Sequence, residues 1–287
     1  MRPTTDELAR FHRVDLADTE STLLCARRYA EETGREFTLV TADYQTAGRG
    51  QRGNSWESER GQNLLLALVA RPAFLPAAAQ FRLSQTVALA VADTVARYTD
   101  DVAVKWPNDV YVGDRKICGM LIEHDLAGPA IARSVMGIGL NVNQTAFRSS
   151  APNPVSLRLL CGRPLDREEV LRALLRRFCR YYDGLAEACV GTSENKYYDR
   201  KNKYYDRNSY RSTCKNGDCT CAADRFSRLD EAYAARLYRR RGEYAWRDAA
   251  GGFRAAIDHV GADGTLWLRD SAGGLRHYAF KEVEHII

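Results

Sequence analysis

No apolar run in this sequence is long enough to cross a bilayer. The longest, residues 64–70, is far short of the roughly 20 residues a spanning helix needs. Nothing in residues 1–15, which are polar and charged, resembles a secretory leader, so a cytoplasmic protein without a membrane role is expected. Five of the eight cysteines (Cys25, Cys118, Cys161, Cys179 and Cys189) are scattered through ordinary segments with no base partner to activate a thiolate. They read as reduced thiols, several of them small buried hydrophobes. A nucleic-acid footprint is also lacking: residues 189–223 supply +3 of the net charge of +5, leaving only +2 elsewhere.

At 287 residues and 45% hydrophobic, the chain has room for one large domain, or a large and a small one. A first helix is expected over residues 19–33, starting near Ser21-Thr22 and capped by Gly34. Strands are expected over 37–42 and 63–71, the second apolar throughout, as when both faces are covered. Leu83, Val87, Val91, Val95 and Tyr98 recur at helical spacing within 76–98. Short strands at 102–106 and 110–112, a Gly113-Asp114 turn and a returning strand at 116–123 form hairpins. Another strand is expected at 134–143, then a helix from Asp166 to about residue 186 with Glu169 completing a capping box. Leu229, Tyr233 and Leu237 continue a helix to about Gly242. Turn signals roughly ten residues apart after that point suggest a small C-terminal β-barrel. Strands and helices mixed with hairpins indicate an α+β fold with a mixed, largely antiparallel sheet. The expected division is a catalytic domain over 1–240 and a small β domain over 241–287.

Residues 189–223 differ in kind. They contain a direct repeat, Asn195-Lys196-Tyr197-Tyr198-Asp199-Arg200 and Asn202-Lys203-Tyr204-Tyr205-Asp206-Arg207, and almost no aliphatic side chains. Two copies are too few for a solenoid, so a polar, exposed insertion is expected. Cys214, Cys219 and Cys221 within it also allow a zinc-binding or interaction segment, although no histidine lies nearby.

The chemistry concentrates elsewhere. In residues 48–56 three glycines alternate with Arg49 and Arg52, and the run ends in Trp56. Glycine lets backbone N–H groups approach an anion and arginine supplies charge, although such a stretch is also the composition of a flexible surface connection. A tryptophan directly after it can fold over a ligand as a lid. Lys105-Trp106-Pro107-Asn108-Asp109 is a good turn sequence, but Lys105 and Asp109 flank it and Lys116 follows one hairpin later. A lysine can neutralise phosphate and a carboxylate can help hold Mg²⁺ against it. Gly119 suggests close ligand approach within its strand. Gly137-Ile138-Gly139-Leu140-Asn141 lacks the third glycine and following helix of a dinucleotide fingerprint.

In this order, Ser21-Thr22, Gln45 through Trp56, Lys105 through Asp109, Asp114-Arg115-Lys116, Gly137 through Asn141 and the C-terminal β segment resemble the biotin protein ligases. The resemblance covers roughly residues 10–188 and 224–287. It implies a class II aminoacyl-tRNA synthetase/biotin ligase-like catalytic domain with an SH3-like C-terminal domain. It further implies that biotin and ATP form biotinyl-5′-AMP, with Mg²⁺, and that biotin passes to a lysine of the carrier domain of a biotin-dependent carboxylase. Ser21, Thr22, Gln45, Arg49, Gly50, Gln51, Lys116, Gly119 and Gly137 would hold biotin. Arg52, Trp56, Lys105, Asn108, Gly139 and Asn141 would hold the nucleotide. Lys116, Arg49 and Lys105 would carry catalysis and Asp109 the metal.

Two positions depart from the family pattern. Leu23 stands where an Asn is usual, and Gln51 where many relatives have arginine. The resemblance also admits a lipoate or octanoyl ligase, against which the Gly/Arg loop with Trp56 and the Trp-Pro-Asn-Asp turn speak. A biotin-responsive repressor is a further alternative. The first motif at Ser21 leaves little chain before it for a DNA-binding domain, so a monofunctional enzyme, monomer or homodimer, is expected.

Overall fold

A computed structural model describes residues 7–148, 153–190 and 226–286. Most of the repeat-bearing segment, with Cys214, Cys219 and Cys221, lies outside the described residues.

Seven strands form the main sheet: β1 (His12–Thr19), β2 (Thr38–Gln45), β3 (Leu64–Ala70), β4 (Val102–Lys105), β5 (Asp109–Val112), β6 (Arg115–Ala127) and β7 (Ala130–Leu140). Their order is β1-β2-β3-β7-β6-β5-β4. Only β1–β2 is parallel; the other pairings are antiparallel. The α+β fold with a largely antiparallel sheet is thus observed. β3 is buried at every position, in keeping with its unbroken apolar sequence.

Alternate residues of the central strands feed two cores. Leu66, Leu68, Met136 and Ile138 join the large core built with α2 (Phe81–Val95) and α4 (Arg167–Val190). Ala67, Val69 and Val135 face the other way, onto Leu23, Ala26 and Ala30 of α1 (Thr22–Thr33). α1 ends where Gly34 takes a left-handed conformation (φ 62°) and its N–H reaches the Ala30 carbonyl. A short α3 (Leu157–Cys161) precedes α4, at whose start Asp166 accepts from the Glu168 N–H. Glu169 pairs with Arg97, so the reciprocal half of the expected capping box is not made.

α5 (Ser227–Ala235) is shorter than its periodicity suggests. Leu237 is buried as the pattern requires, but Val104 accepts from the Tyr238 N–H and donates to the Arg236 carbonyl, drawing the chain into a bridge with β4. Five antiparallel strands follow: β8 (Tyr244–Asp248), β9 (Gly251–Val260), β10 (Leu266–Asp270), β11 (Leu275–Tyr278) and β12 (Val283–His285), ordered β11-β10-β9-β8-β12. This sheet is consistent with an SH3-like unit; among the described pairings β11 and β12 are its open edges. Its Trp246, Leu266, Leu268 and Val283 belong to the same large core as α2. Trp106 Nε1 donates to the Gly264 carbonyl at 2.9 Å, tying the sheet to the β4–β5 turn.

β1 was not legible as a strand. Its Val14 and Leu16 are only partly buried, and Arg13 and Asp15 pair with each other in solvent. Among the described residues no helix is long and apolar enough to cross a membrane. Cys118 and Cys179 are buried and all five described cysteines are free.

Candidate functional site

α1 covers only part of its face of the sheet. Beyond its N-terminus the face lies open over β7 and β6, and the residue 48–56 loop arches across it. The result is a cleft of about 620 Å³, within the range of small-molecule sites. Ser21, Thr22, Gln45, Arg49, Gly50, Gln51, Trp56, Lys105, Asn108, Asp109, Lys116, Gly119, Gly137, Gly139 and Asn141 all line it. Of the residues the sequence put forward, only Arg52 is missing, and its side chain lies outside the described ones.

One end of the cleft is a helix N-terminus. Ser21 stands at the N-cap of α1 but makes no capping bond. Gln45, at the end of β2, takes that role: its Oε1 accepts from the Thr22 N–H (2.8 Å) and the Thr22 hydroxyl (3.0 Å). The Ser21 hydroxyl, 1% exposed, is left without a partner.

The loop is a miniature hairpin. Trp56 N–H donates to the Gly48 carbonyl, Gly50 N–H to the Asn54 carbonyl, and Arg49 bridges Ser55. This shape lays the Trp56 indole flat against β6 and β7. A Cβ at Gly139 would sit 2.4 Å from Trp56 Cε2, and one at Gly119 would sit 2.8 Å from Cζ3. The close approach expected at Gly119 is therefore made by the indole and the Lys116 chain. Leu23 fills the corresponding room above Gly137, its Cγ 2.9 Å from a Cβ there. Gly139→Ala is expected to push the indole off β7 at a cost of about 1–3 kcal/mol. Near-UV circular dichroism and a denaturation curve check this; an unchanged tryptophan signal would refute the packing.

The opposite wall carries charge. Lys116 Nζ lies 2.7 Å from Asp109 Oδ1 and 5.8 Å from the Trp56 ring centre. Lys105 Nζ donates to the Tyr111 hydroxyl at 3.3 Å. Burial pulls the Lys105 pKa below that of free lysine; nearby Lys116 and Arg239 add to the fall, while Asp109 opposes it. Asn108 is committed to the turn, its amide donating to the Met120 carbonyl. Asn141 donates to the Val155 carbonyl, and its Oδ1 is buried with no partner. Trp56 Nε1 and His285 Nδ1 are likewise buried and unpartnered. Four orphaned polar atoms on one cleft are what a polar ligand would satisfy.

The donor set around Lys116 is not a closed Mg²⁺ site. Asp109 is already paired with Lys116, and no group of three or more His, Cys, Asp or Glu side chains converges among the described residues. These residues fit a cation carried in on a polyphosphate, with Asp109 adding one oxygen.

Sequence reasoning missed part of the wall. Tyr111, Met120, Phe147 and, from the second sheet, Trp246, Lys281, Glu284 and His285 also line the cleft. Tyr111 could have been found as the inward-facing member of β5. The four C-terminal residues carry no local signal, because only tertiary packing brings β8 and β12 to the site.

Residues 19–141 match the biotin/lipoate A/B protein ligase family. Over 173 residues the chain is 35% identical to the biotin–[acetyl-CoA-carboxylase] ligase of Paracoccus denitrificans, covering 58% of this chain and 71% of that protein. The chain belongs to the biotin/lipoate A/B protein ligase family. Another member, the bifunctional ligase/repressor BirA of Escherichia coli, is 38% identical over 137 residues, 47% of this chain and 42% of its own length. The chain thus spans about half the length of the bifunctional relatives it matches. Among solved structures, the biotin protein ligase of Aquifex aeolicus in complex with biotin and ATP superposes with a TM-score of 0.68 at 21% identity. That match covers 96% of this chain and 99% of the other and establishes a shared fold. Within the family, the matched segment includes the α1 N-terminus, the loop, both lysines and the β7 glycines.

Proposed function

We propose that this chain is an ATP-dependent biotin protein ligase that forms biotinyl-5′-adenylate and passes biotin to a lysine of a carboxylase's carrier domain. The observation that supports it most is the convergence, in one cleft, of the Gly/Arg loop, the Lys116–Asp109 pair and the orphaned polar atoms at the α1 N-terminus and Asn141. On this reading the bicyclic head of biotin meets Ser21, Thr22 and Gln45, and its carboxylate extends toward Lys116 and Arg49. The nucleotide lies along Trp56, Gly139, Asn141 and Lys105.

A carboxylate and a triphosphate repel each other, so cations must hold both at attack distance. A carboxylate oxygen bonds to the α-phosphorus while the bond to pyrophosphate breaks. Lys116 and Lys105 balance the negative charge along that path. Mg²⁺ accompanying ATP would be met by Asp109 and would neutralise polyphosphate charge. In the second step the carrier amine attacks the acyl carbon, AMP leaves, and the amine's proton goes to solvent. The loop and Trp56 shield the mixed anhydride from water between the two steps. No enzyme nucleophile is required, and the burial that raises the Cys118 pKa keeps that thiol inert. The five-stranded sheet over 241–287 is proposed as a separate small domain closing one side of the cleft.

The test is transfer of labelled biotin to a biotin carrier domain with ATP and Mg²⁺, run beside lipoate. Biotin transfer is expected, with lipoate at least about 100-fold poorer, since buried polar groups left unpaired discriminate strongly. Preference for lipoate would overturn the biotin assignment while leaving the acyl-adenylate chemistry.

A further inference from the structure

The hydrogen bonds described within residues 48–56 between backbone groups all close inside the segment: Gly50 to Asn54, Asn54 to Gln51 and Trp56 to Gly48. A loop held this way keeps its own shape and is seated at one end by the Trp56 indole on β6 and β7, so its crest is the part left to swing. Among the hydrogen bonds described, one reaches it from outside, and it comes from the other end of the chain. Lys281 Nζ donates to the Gln51 carbonyl at 3.1 Å.

Two features set this bond apart from a chance surface contact. Lys281 adopts a left-handed backbone conformation with φ 68°, which a side chain other than glycine or asparagine seldom takes. Strain of this kind persists where surrounding structure over-determines it and tends to collect at functional sites. The surrounding structure here is rigid. Phe280 packs edge-on against Trp106 and beside Phe81, with ring centres 5.4 and 5.9 Å apart. Glu282 closes the same turn, its carboxylate accepting from the Ala279 N–H at 2.7 Å. Lys281 therefore stands on a platform fixed to the β4–β5 turn and α2, and from there reaches the carbonyl at the crest of the loop.

We propose that Lys281 is a positioning residue, a latch by which the C-terminal sheet holds the 48–56 loop down over the bound adenylate. The proposal rests on the ligase reading above. Its consequence is that the second sheet governs how long the activated intermediate is retained. The bond goes to a main-chain carbonyl, so the latch does not depend on the side chain at position 51. It offers this chain, which has Gln51 in place of a second cationic grip, another way to keep the loop shut.

Three variants separate latch from scaffold. Lys281→Gly removes the side chain and relieves the left-handed strain; Lys281→Met keeps the aliphatic stem; Lys281→Arg keeps a donor. Without ligand, trypsin should cleave after Arg49 about three- to tenfold faster in the Gly and Met variants, the range set by one exposed hydrogen bond. With biotin, ATP and Mg²⁺ but no carrier, hydroxylamine should trap released adenylate faster by a similar factor, and Lys281→Arg should restore both rates. The thermal midpoint of Lys281→Gly should not fall. Wild-type cleavage and release in folded Gly and Met variants would overturn the latch even if biotin transfer proceeds normally. Absence of adenylate in the wild-type protein would instead overturn the ligase reading, while faster cleavage alone would still support the tether.

Discussion

Replacing Lys116 by alanine is expected, on the proposed ligase reading, to slow biotinyl-adenylate formation by roughly 10²–10³-fold, the usual loss when one preorganised donor to a developing anion is removed. The expectation follows from where the ammonium stands. Lys116 Nζ is held 2.7 Å from Asp109 Oδ1 by two side chains each about one-fifth exposed, so it is aimed before any substrate arrives. A carboxylate or phosphoryl oxygen entering the cleft competes with Asp109 for a charge that needs little reorganisation. Asp109→Asn should leave the ammonium present but less well aimed, with a smaller loss of about tenfold. The ratio separates a group that touches the reacting atoms from one that positions it. Pyrophosphate exchange measures the first step alone, and a thermal midpoint close to wild type rules out unfolding as the cause. A folded Lys116→Ala protein within threefold of wild type would remove Lys116 from the mechanism.

Lys116 was noticed because it follows the Trp106-Pro107-Asn108-Asp109 turn by a single hairpin, but its role came from the family resemblance; the register sets it opposite Tyr111, and its contact with Asp109 runs diagonally past a bulge. Gln45 and Thr22 were legible as members of ordered motifs, although their mutual hydrogen bonds were not. The glycines were only half legible. Close approach at Gly119 could be anticipated, but it is Trp56, from a loop on the far side of β3, that presses on both Gly119 and Gly139. β1 escaped notice because its alternation is short and carried by only two large apolar side chains, Val14 and Leu16, among charged ones. The end of α5 escaped because a backbone bridge to Val104 overrides a helical pattern that its side chains still satisfy. The glycine contacts and the end of α5 share a cause, a partner far along the chain: Trp56 for Gly119 and Gly139, Val104 for Tyr238.

The last strand predicts the largest effect on stability. His285, in the last strand, is 9% exposed and stacks on Trp246 with ring centres 3.6 Å apart, its other neighbour being the edge-on Tyr238 ring. Burial, then the nearby Lys105 and Arg239 cations, push its pKa down to about 3. The folded-state value is thus depressed from the ordinary 6.5 of an imidazole. Between those two values the unfolded chain binds a proton that the native chain refuses. Stability must then fall as pH drops below 6.5, by up to about 1.4 kcal/mol per unit. By pH 4.5 the loss attributable to His285 should reach roughly 2–3 kcal/mol. Carboxylates whose pKa is held down by arginines, Glu168 and Asp125 among them, lose their contribution mainly below pH 4.5, and what Glu168 loses above that is common to both proteins and cancels in the comparison. His124, half-buried and hydrogen-bonded to Ser134, is also depressed, acts in the same direction as His285 and is unaffected by changes there. Urea denaturation of wild type and His285→Phe at pH 7 and 4.5 isolates the contribution, because phenylalanine keeps the stack on Trp246 but cannot protonate. The phenylalanine protein should lose about 2–3 kcal/mol less over that interval. Equal losses would mean that His285 is reached by water, and that the C-terminal sheet seals that side of the cleft less tightly than its packing implies.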